Sequence, residues 1–396
     1  MTRYLPRIAL MLGNVFIGLA VLGPAGMMAP MAGGLHVGIH DIGLLVTYGA
    51  VVLCIGSPLI AWLTTRTDRR VLLVAALALV AVFQAASALA PNYATMVMLR
   101  LLLVGAAAVY TPQAAATIAL IVPERERASA IAVVFLGWSV AIAGGLPLVT
   151  FIATHFGWRA AFGVLGAASV VGALLVAVSV PKGLQGRPLS LASFGTIARN
   201  GRIVAILAIT LIQTSGQFAV FVYLAPLLKG LAGAGPAVAG AFFAMYGVVG
   251  LVGNVIASAI VTRLGAQRTM ALFLFSTFIG LLVWAVGAGW LMAMGAGVVL
   301  WALGFSAINS MQQARLAAAA PDLASASIAL NSSMLYVGQA VGSAIGGVLY
   351  ATGHLVAAGY VATALVAAGG ALLAVSWQRK RPAALPNAAT CPAAAE

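Results

Sequence analysis

Twelve times along this chain, a stretch of about 20 or more residues passes with at most one charged side chain in it. An α-helix rises about 1.5 Å per residue, so roughly 20 apolar residues are needed to cross about 30 Å of hydrocarbon. The stretches fall at 6–29, 42–63, 70–90, 95–121, 128–153 and 158–180, then at 203–228, 237–261, 268–287, 289–313, 325–350 and 354–377. Hydrophobic residues make up 63% of the chain and charged ones 7%, too few polar side chains to cover a water-soluble fold. The expected fold is an all-α membrane protein with 12 transmembrane helices. Spans nine and ten are the narrowest division, with Gly287, Ala288 and Gly289 alone between them.

The net charge of +14 would suit nucleic acid, but the basic residues sit in alternate loops. Arg3 and Arg7 precede span one; Arg66, Arg69 and Arg70 follow span two; Arg125 and Arg127 follow span four. Lys182, Arg187, Arg199 and Arg202 occupy the central connection, and Arg263, Arg268, Arg315, Arg379, Lys380 and Arg381 complete the series. The opposite loops hold Arg159 and Lys229. By the positive-inside rule both termini are expected in the cytoplasm, and nucleic acid is not an expected partner. The first span is too long for a removable signal peptide and lacks a small-residue cleavage site, so it is expected to stay. Cys54 lies in span two and Cys391 in the tail, an arrangement that predicts no disulfide.

The chain also repeats itself. Thr47 to Leu53 reads T-Y-G-A-V-V-L and leads into Thr65-Arg66; about 198 residues later Met245 to Leu251 reads M-Y-G-V-V-G-L and leads into Thr262-Arg263. Pro123-Glu124 and Ala128-Ser129 are answered at the same offset by Pro321-Asp322 and Ala326-Ser327. Two related halves imply two pseudo-symmetric six-helix bundles facing one central site. The expected division is 1–180, a cytoplasmic linker 181–202, 203–378, and a disordered cytoplasmic tail 379–396 rich in Ala and Pro.

The span two to three turn, Pro58 to Arg70, resembles the signature loop of the major facilitator superfamily. Arg66, Arg69 and Arg70 occupy the family's basic positions, while Ala61 replaces its first glycine, Thr65 its acid and Asp68 its later glycine. Leu99-Arg100 through Gly105 to Pro112 is similar to the family's second motif, and Gly145-Leu146-Pro147-Leu148-Val149-Thr150 to its antiporter motif in the 12-span drug:proton antiporters related to sugar-efflux proteins. Gly216 to Pro226, Gly253-Asn254, and Gln313 to Asn331 are similar to its seventh, eighth and eleventh spans. The resemblance implies the major facilitator fold, export of drug-like or sugar-like molecules, exchange for protons, and conformational roles for Arg66, Asp68, Arg69, Arg70, Gly145 and Pro147. It also favours Arg100 for proton coupling or for holding substrate, and Gln217 and Tyr223 for substrate.

Arg100 is the intramembrane charge to explain. Near the bilayer centre it costs about 2.5–3.5 kcal/mol on insertion scales, so it is expected to face the cavity, with snorkelling to the nearby surface as the alternative. No carboxylate lies inside a span, since the acids are Asp41, Asp68, Glu124, Glu126, Asp322 and Glu396. Asp41, beside His36 and His40, is the nearest substitute for a coupling acid; its other reading is a helix N-cap. Amides and aromatics in lipid must face a neighbouring helix or a wet cavity. On that ground Tyr110, Gln113, Trp138, Gln213, Gln217, Tyr223 and Asn331 join Arg100 as cavity candidates, each with helix packing as its alternative. Gly144, Gly145 and Pro147 in span five, and Gly342, Gly346 and Gly347 in span eleven, read as bending points or as close static packing.

These features point to an inner-membrane secondary transporter, expected to act as a monomer by alternating access. A proton-independent facilitator or importer on the same fold is the alternative. Four scattered histidines and no intramembrane acid argue against an enzyme or a metal site, and no cofactor is expected.

Overall fold

The computed structural model describes residues 4–63, 67–123, 126–185, 197, 199–319 and 324–378. Arg66, Glu124, Arg125, Asp322, most of the central linker and the tail lie outside the described residues. The first half contains α1 (Leu5–Gly26), α2 (Met28–Leu35), α3 (Ile39–Leu63), α4 (Arg69–Ala88), α5 (Tyr93–Ile121), α6 (Arg127–Val140), α7 (Leu146–His155) and α8 (Trp158–Ser179). The second contains α9 (Gly201–Phe221), α10 (Leu224–Ala232), α11 (Pro236–Val286), α12 (Leu291–Ala319), α13 (Ala324–Ala351) and α14 (Leu355–Gln378).

Among the described residues, eleven helices are long and apolar enough to cross a membrane. One of them, α11, has 51 residues. At about 1.5 Å per residue it would be about 76 Å long, more than twice the hydrocarbon thickness, so it cannot be one straight span. Gly265 turns it, with φ 74° and ψ 157°, a conformation open to a residue without Cβ. Its two arms are expected spans eight and nine, which follow each other with no loop. Spans nine and ten, the doubtful division in the sequence, are cleanly parted between Val286 and Leu291, and Gly289 takes φ 92° there.

Expected span one also differs in detail. The helix ends at Gly26, two residues after Pro24, and α2 resumes at Met28 before His36 closes it at φ 54°. Span five is broken by a π turn over Ala141–Gly145 between α6 and α7. Pro147 has no N–H for the carbonyl four residues back, and the wider turn, in which Leu146 N–H reaches the Ala141 carbonyl, accommodates that loss.

Within the first bundle α1 packs on α5, α6 and α8, and α4 on α5 and α8; within the second α9 packs on α13 and α14, and α11 on α12 and α14. The bundles meet where α3 lies along α13 and where α11 lies along α7 and the π turn. Lipid supplies no hydrophobic force between helices, so close backbone approach and interhelical hydrogen bonds hold them. The second arm of α11 and α12 show both. A Cβ on Gly280 would strike the Trp301 backbone and stand 2.6 Å from the Gly297 carbonyl. One turn away, Ser276 Oγ donates to the Leu300 carbonyl at 2.7 Å.

Replacing Gly280 by Val is expected to overpack this contact by about 1–3 kcal/mol and lower the thermal midpoint of the purified protein. Gly163→Ala, on α8 with nothing within 4 Å of the new methyl, serves as the control. Equal midpoints for both variants would contradict the close approach.

Candidate functional site

Pro24 governs the middle of the first bundle. Lacking an N–H, it leaves the Ala20 carbonyl without its helical donor, inside a helix where that carbonyl is remote from water. Arg100 fills the gap. One terminal nitrogen donates to the Ala20 carbonyl, the other to the Val21 carbonyl, and Nε donates to the Leu45 carbonyl of α3 at 3.3 Å. The guanidinium is 1% exposed, so it neither snorkels nor opens onto a cavity. It ties α5 to α1 and α3 through backbone oxygens.

Deeper in the same bundle Asn14 of α1 donates to the Val134 carbonyl at 2.8 Å and accepts from Thr111 at 2.6 Å. Trp138 Nε1 reaches the Thr111 hydroxyl at 3.4 Å, and Tyr110 donates to the Leu10 carbonyl at 3.3 Å. Tyr110 is buried against Gly13, Trp138 is half-buried, and Gln113 is buried on α5.

In the second bundle the amides gather. Gln217 Oε1 accepts from Trp301 Nε1 at 3.0 Å and from Tyr246 OH at 3.4 Å. Its Nε2 donates to Gln213, whose own amide donates to Thr214 at 2.9 Å. Tyr246 lies 4.8 Å from the Trp301 ring, 4.9 Å from Phe221 and 5.2 Å from Phe305, centre to centre. One amide is thus held at the edge of a four-ring cluster. Asn331 belongs to a separate chain: it accepts from Thr210 at 2.7 Å and donates to Asn309 at 3.1 Å, while Gln312 donates to Thr210 at 3.0 Å and accepts from Arg315 at 2.6 Å. Tyr223 lies apart from both, fully buried and stacked on Tyr350 at 5.8 Å, where the bundles touch.

The bundles approach most closely from the middle of the molecule to the end that carries His36 and Gly38. Ser139 and Ser306 face each other at 3.4 Å near the middle. A Cβ on Gly247 would strike Ala143 of the π turn, one on Gly240 would lie 3.8 Å from Pro147, and Ser343 donates to the Gly43 carbonyl at 3.3 Å. Gly145 packs instead on Leu19 inside its own bundle.

At the other, basic end, Asp68 caps α4 through the Arg70 and Val71 amides at 2.8 and 3.2 Å and also accepts from the Gly183 amide. Partial burial raises the pKa of this carboxyl, but the three amides and the Arg70 charge outweigh it and hold the group below its ordinary value. Arg69 N–H donates to the Leu184 carbonyl at 2.9 Å, so this turn grips the start of the linker. The Arg69 guanidinium is buried and Arg70 is half-buried.

Asp41 differs from the expected N-cap. It is the third residue of α3, and its carboxylate reaches back to the Gly38 amide at 2.9 Å, the returning half of a capping box. Sequence reading passed over Pro24 as the partner of Arg100, Asn14, and the Trp301 and Tyr246 rings around Gln217. Tyr246 had a signal, since it stands in the repeated Tyr-Gly pair.

The sequence pattern of the Major Facilitator Superfamily matches residues 10–329. The inner membrane transport protein YdhP of Escherichia coli K12 is 27% identical over 95% of this chain and 97% of its own length. The uncharacterized MFS-type transporter YtbD of Bacillus subtilis is 26% identical over 94% of each chain. Among solved structures, a D-xylose-proton symporter superposes with a TM-score of 0.77 at 15% identity, covering 96% of this chain and 98% of its own. A bacterial homolog of the human lysosomal transporter Spinster superposes with a TM-score of 0.70 at 15% identity, covering 96% and 98%.

Arg100→Ala is expected to lower the thermal midpoint, because a buried acceptor left unpaired costs about 1–3 kcal/mol. Pro24→Ala restores an N–H for Ala20, so the same Arg100 change should cost less in that background, by about 1 kcal/mol in a double-mutant cycle. Additive losses would mean that the guanidinium does not serve the carbonyl that the proline leaves free.

Proposed function

We propose that this chain, which belongs to the major facilitator superfamily, exports small neutral or weakly polar organic molecules across a bacterial inner membrane by alternating access, in exchange for protons. That it is a multi-pass membrane transporter follows from the family; substrate, direction and coupling are our reading. The observation that carries it is the Gln217 amide among Trp301, Tyr246, Phe221 and Phe305, beside a bundle interface closed at one end only by its closest contacts. Rings and amides without a fixed acid favour substrates recognised by stacking and hydrogen bonding rather than by charge.

The positive-inside pattern supports cytoplasmic termini, and on that topology the end with His36 and Gly38 faces outward. The described conformation is then shut toward the outside. The division into 1–180 and 203–378 joined by a cytoplasmic linker follows the same logic, with the Asp68 turn holding the linker's first residues.

A second reading has its own support. Among the described residues the carboxylates are Asp41, Asp68 and Glu126, all at helix ends, and Asp41 is engaged locally. Without a buried acid to trade a proton, a gradient-independent facilitator fits as well. Proton exchange therefore rests on the family likeness of the Gly145-Leu146-Pro147 segment.

Expression in an efflux-deficient host, screened with neutral aromatic compounds, is expected to raise resistance to some of them. Uptake of such a compound into inverted vesicles should rise several-fold when a pH gradient is imposed; uptake indifferent to the gradient would select the facilitator. Gln217→Leu strands the Trp301 and Tyr246 donors and is expected to reduce uptake about tenfold at equal expression. Undiminished uptake in that variant would remove Gln217 from the site.

A further inference from the structure

The second arm of α11 and α14 meet at one end and part at the other. A Cβ on Gly359 would lie 2.8 Å from Ala285 Cβ, whereas one on Gly370 would meet only Leu274, at 3.8 Å. These two pairs make the helices antiparallel. They place the opening at the basic end, where the second arm starts from Gly265 and α14 finishes at Gln378. There α14 keeps its hold on α9, since a Cβ on Gly369 would stand 3.4 Å from Gln213. What opens is a groove of about 300 Å³, walled by Leu274, Phe275 and Phe278 on one side and by Val366, Gly370 and Leu373 on the other. Every residue of its walls is apolar.

The first half of the chain fills the equivalent place. The repeat offset of about 198 carries Leu73, Leu77 and Val80 of α4 to Ala271, Phe275 and Phe278, and Gly172 of α8 to Gly370. Leu73, Leu77 and Val80 are fully buried, and a Cβ on Gly172 would strike Phe16 of α1 and lie 3.6 Å from Leu77. Phe275, by contrast, is 61% exposed. One face is sealed by the protein and its counterpart is left to the surroundings, which between two membrane spans are lipid chains.

Charge selects among the lipids. Arg268 is exposed at the open end of the groove, three residues before Ala271 and seven before Phe275 on the same face of α11. The chain runs on from α14 as Arg379, Lys380 and Arg381. Among the described residues the second bundle carries no carboxylate to meet Arg268. A second copy seated here about a two-fold axis would bring two basic ends together, while an anionic headgroup neutralises one.

We propose that this groove is a site for an anionic phospholipid of the cytoplasmic leaflet, with one acyl chain between α11 and α14 and the phosphate on Arg268. The acyl chain supplies the packing that Phe16 and Leu77 give the first bundle, and the headgroup supplies the counter-charge. Which leaflet is involved follows from the topology above. The site itself requires neither the substrate nor the coupling proposed there, and its test involves no transport.

The full-length protein in detergent is titrated with dioleoylphosphatidylglycerol or dioleoylphosphatidylcholine, and bound lipids are counted by native mass spectrometry. One phosphatidylglycerol per chain is expected to bind about fivefold or more tightly than phosphatidylcholine. Arg268→Gln should bring the two lipids to within about twofold of each other. Lys229→Gln, the same loss of charge at an exposed position at the opposite end of the molecule, should leave the preference intact. Gly370→Leu puts a side chain into the groove and is expected to weaken both lipids about tenfold. Equal binding of the two lipids by the unaltered protein, a preference that survives Arg268→Gln, or undiminished binding in Gly370→Leu would each overturn the proposal. So would a two-chain species that Gly370→Leu dissociates, which would give the groove to a second copy. The Arg268 comparison decides even where Gly370→Leu does not fold.

Discussion

Inside hydrocarbon, a polar group that loses its partner cannot turn to water, and this constraint fixes what stands at the centre of the first bundle. Pro24 takes one donor out of α1, and the Ala20 carbonyl it strands is met by the Arg100 guanidinium from α5. The cost of placing a charge in the membrane is offset by what the charge satisfies. The proline and the arginine, 76 positions apart in the sequence, are two parts of one device. Pro147 presents the same problem in span five and is met differently, by a π turn that shifts the hydrogen-bond ladder by one residue. That turn then becomes a surface on which the other bundle rests, because Gly247 packs against Ala143. Two prolines thus set the hub of one bundle and part of the interface between both.

The same constraint explains why asparagine appears in corresponding places. Asn14 joins α1 to α5 and α6 through Thr111 and the Val134 carbonyl; Asn331 joins α13 to α9 and α12 through Thr210 and Asn309. In each bundle a buried amide with both its donor and its acceptor used pins three helices at once. Such pins hold a bundle rigid, and the seam between bundles lacks them. Among the described residues the contacts there are glycine against side chain or backbone, one serine on a carbonyl and one pair of serines, with His40 Nδ1, the Thr47 hydroxyl and Gln339 Nε2 left unpaired. Rigid interiors and a poorly satisfied interface suit a protein whose halves move as bodies.

The spans were legible because hydrophobic length is a local property. Each of the twelve stretches read from composition finds its helix within a few residues, apart from the short α2 and α10 continuations that sequence length could not separate. What was not legible depended on where a side chain ends. Arg100 read as a cavity residue because a charge in lipid suggests water, and nothing near it in the sequence pointed to a carbonyl freed on another helix. Gln217 was visible as an amide in a span, but the rings that hold it come from α11 and α12, far along the chain. Asp41 was one turn position from its expected role, since an acid near a helix start reads alike at the cap and at the third residue. Pairings between spans are long-range facts, and a single sequence carries them only weakly.

The repeated Tyr-Gly pair shows how the two halves came to differ. In the first copy Tyr48 is 37% exposed, and Gly49 gives room within its own bundle to Val104. In the second copy Tyr246 is fully buried among Trp301, Phe221 and Phe305, and Gly247 lies against Ala143 of the other bundle. One glycine of the pair thus serves cohesion within a bundle and the other serves contact between bundles. One tyrosine meets the surroundings of the molecule and the other donates to Gln217. The duplication supplied two equivalent helices, and the surrounding side chains assigned them unlike tasks. The buried cluster of rings and amides therefore belongs to the second bundle, while Arg100 is committed to holding the first bundle together.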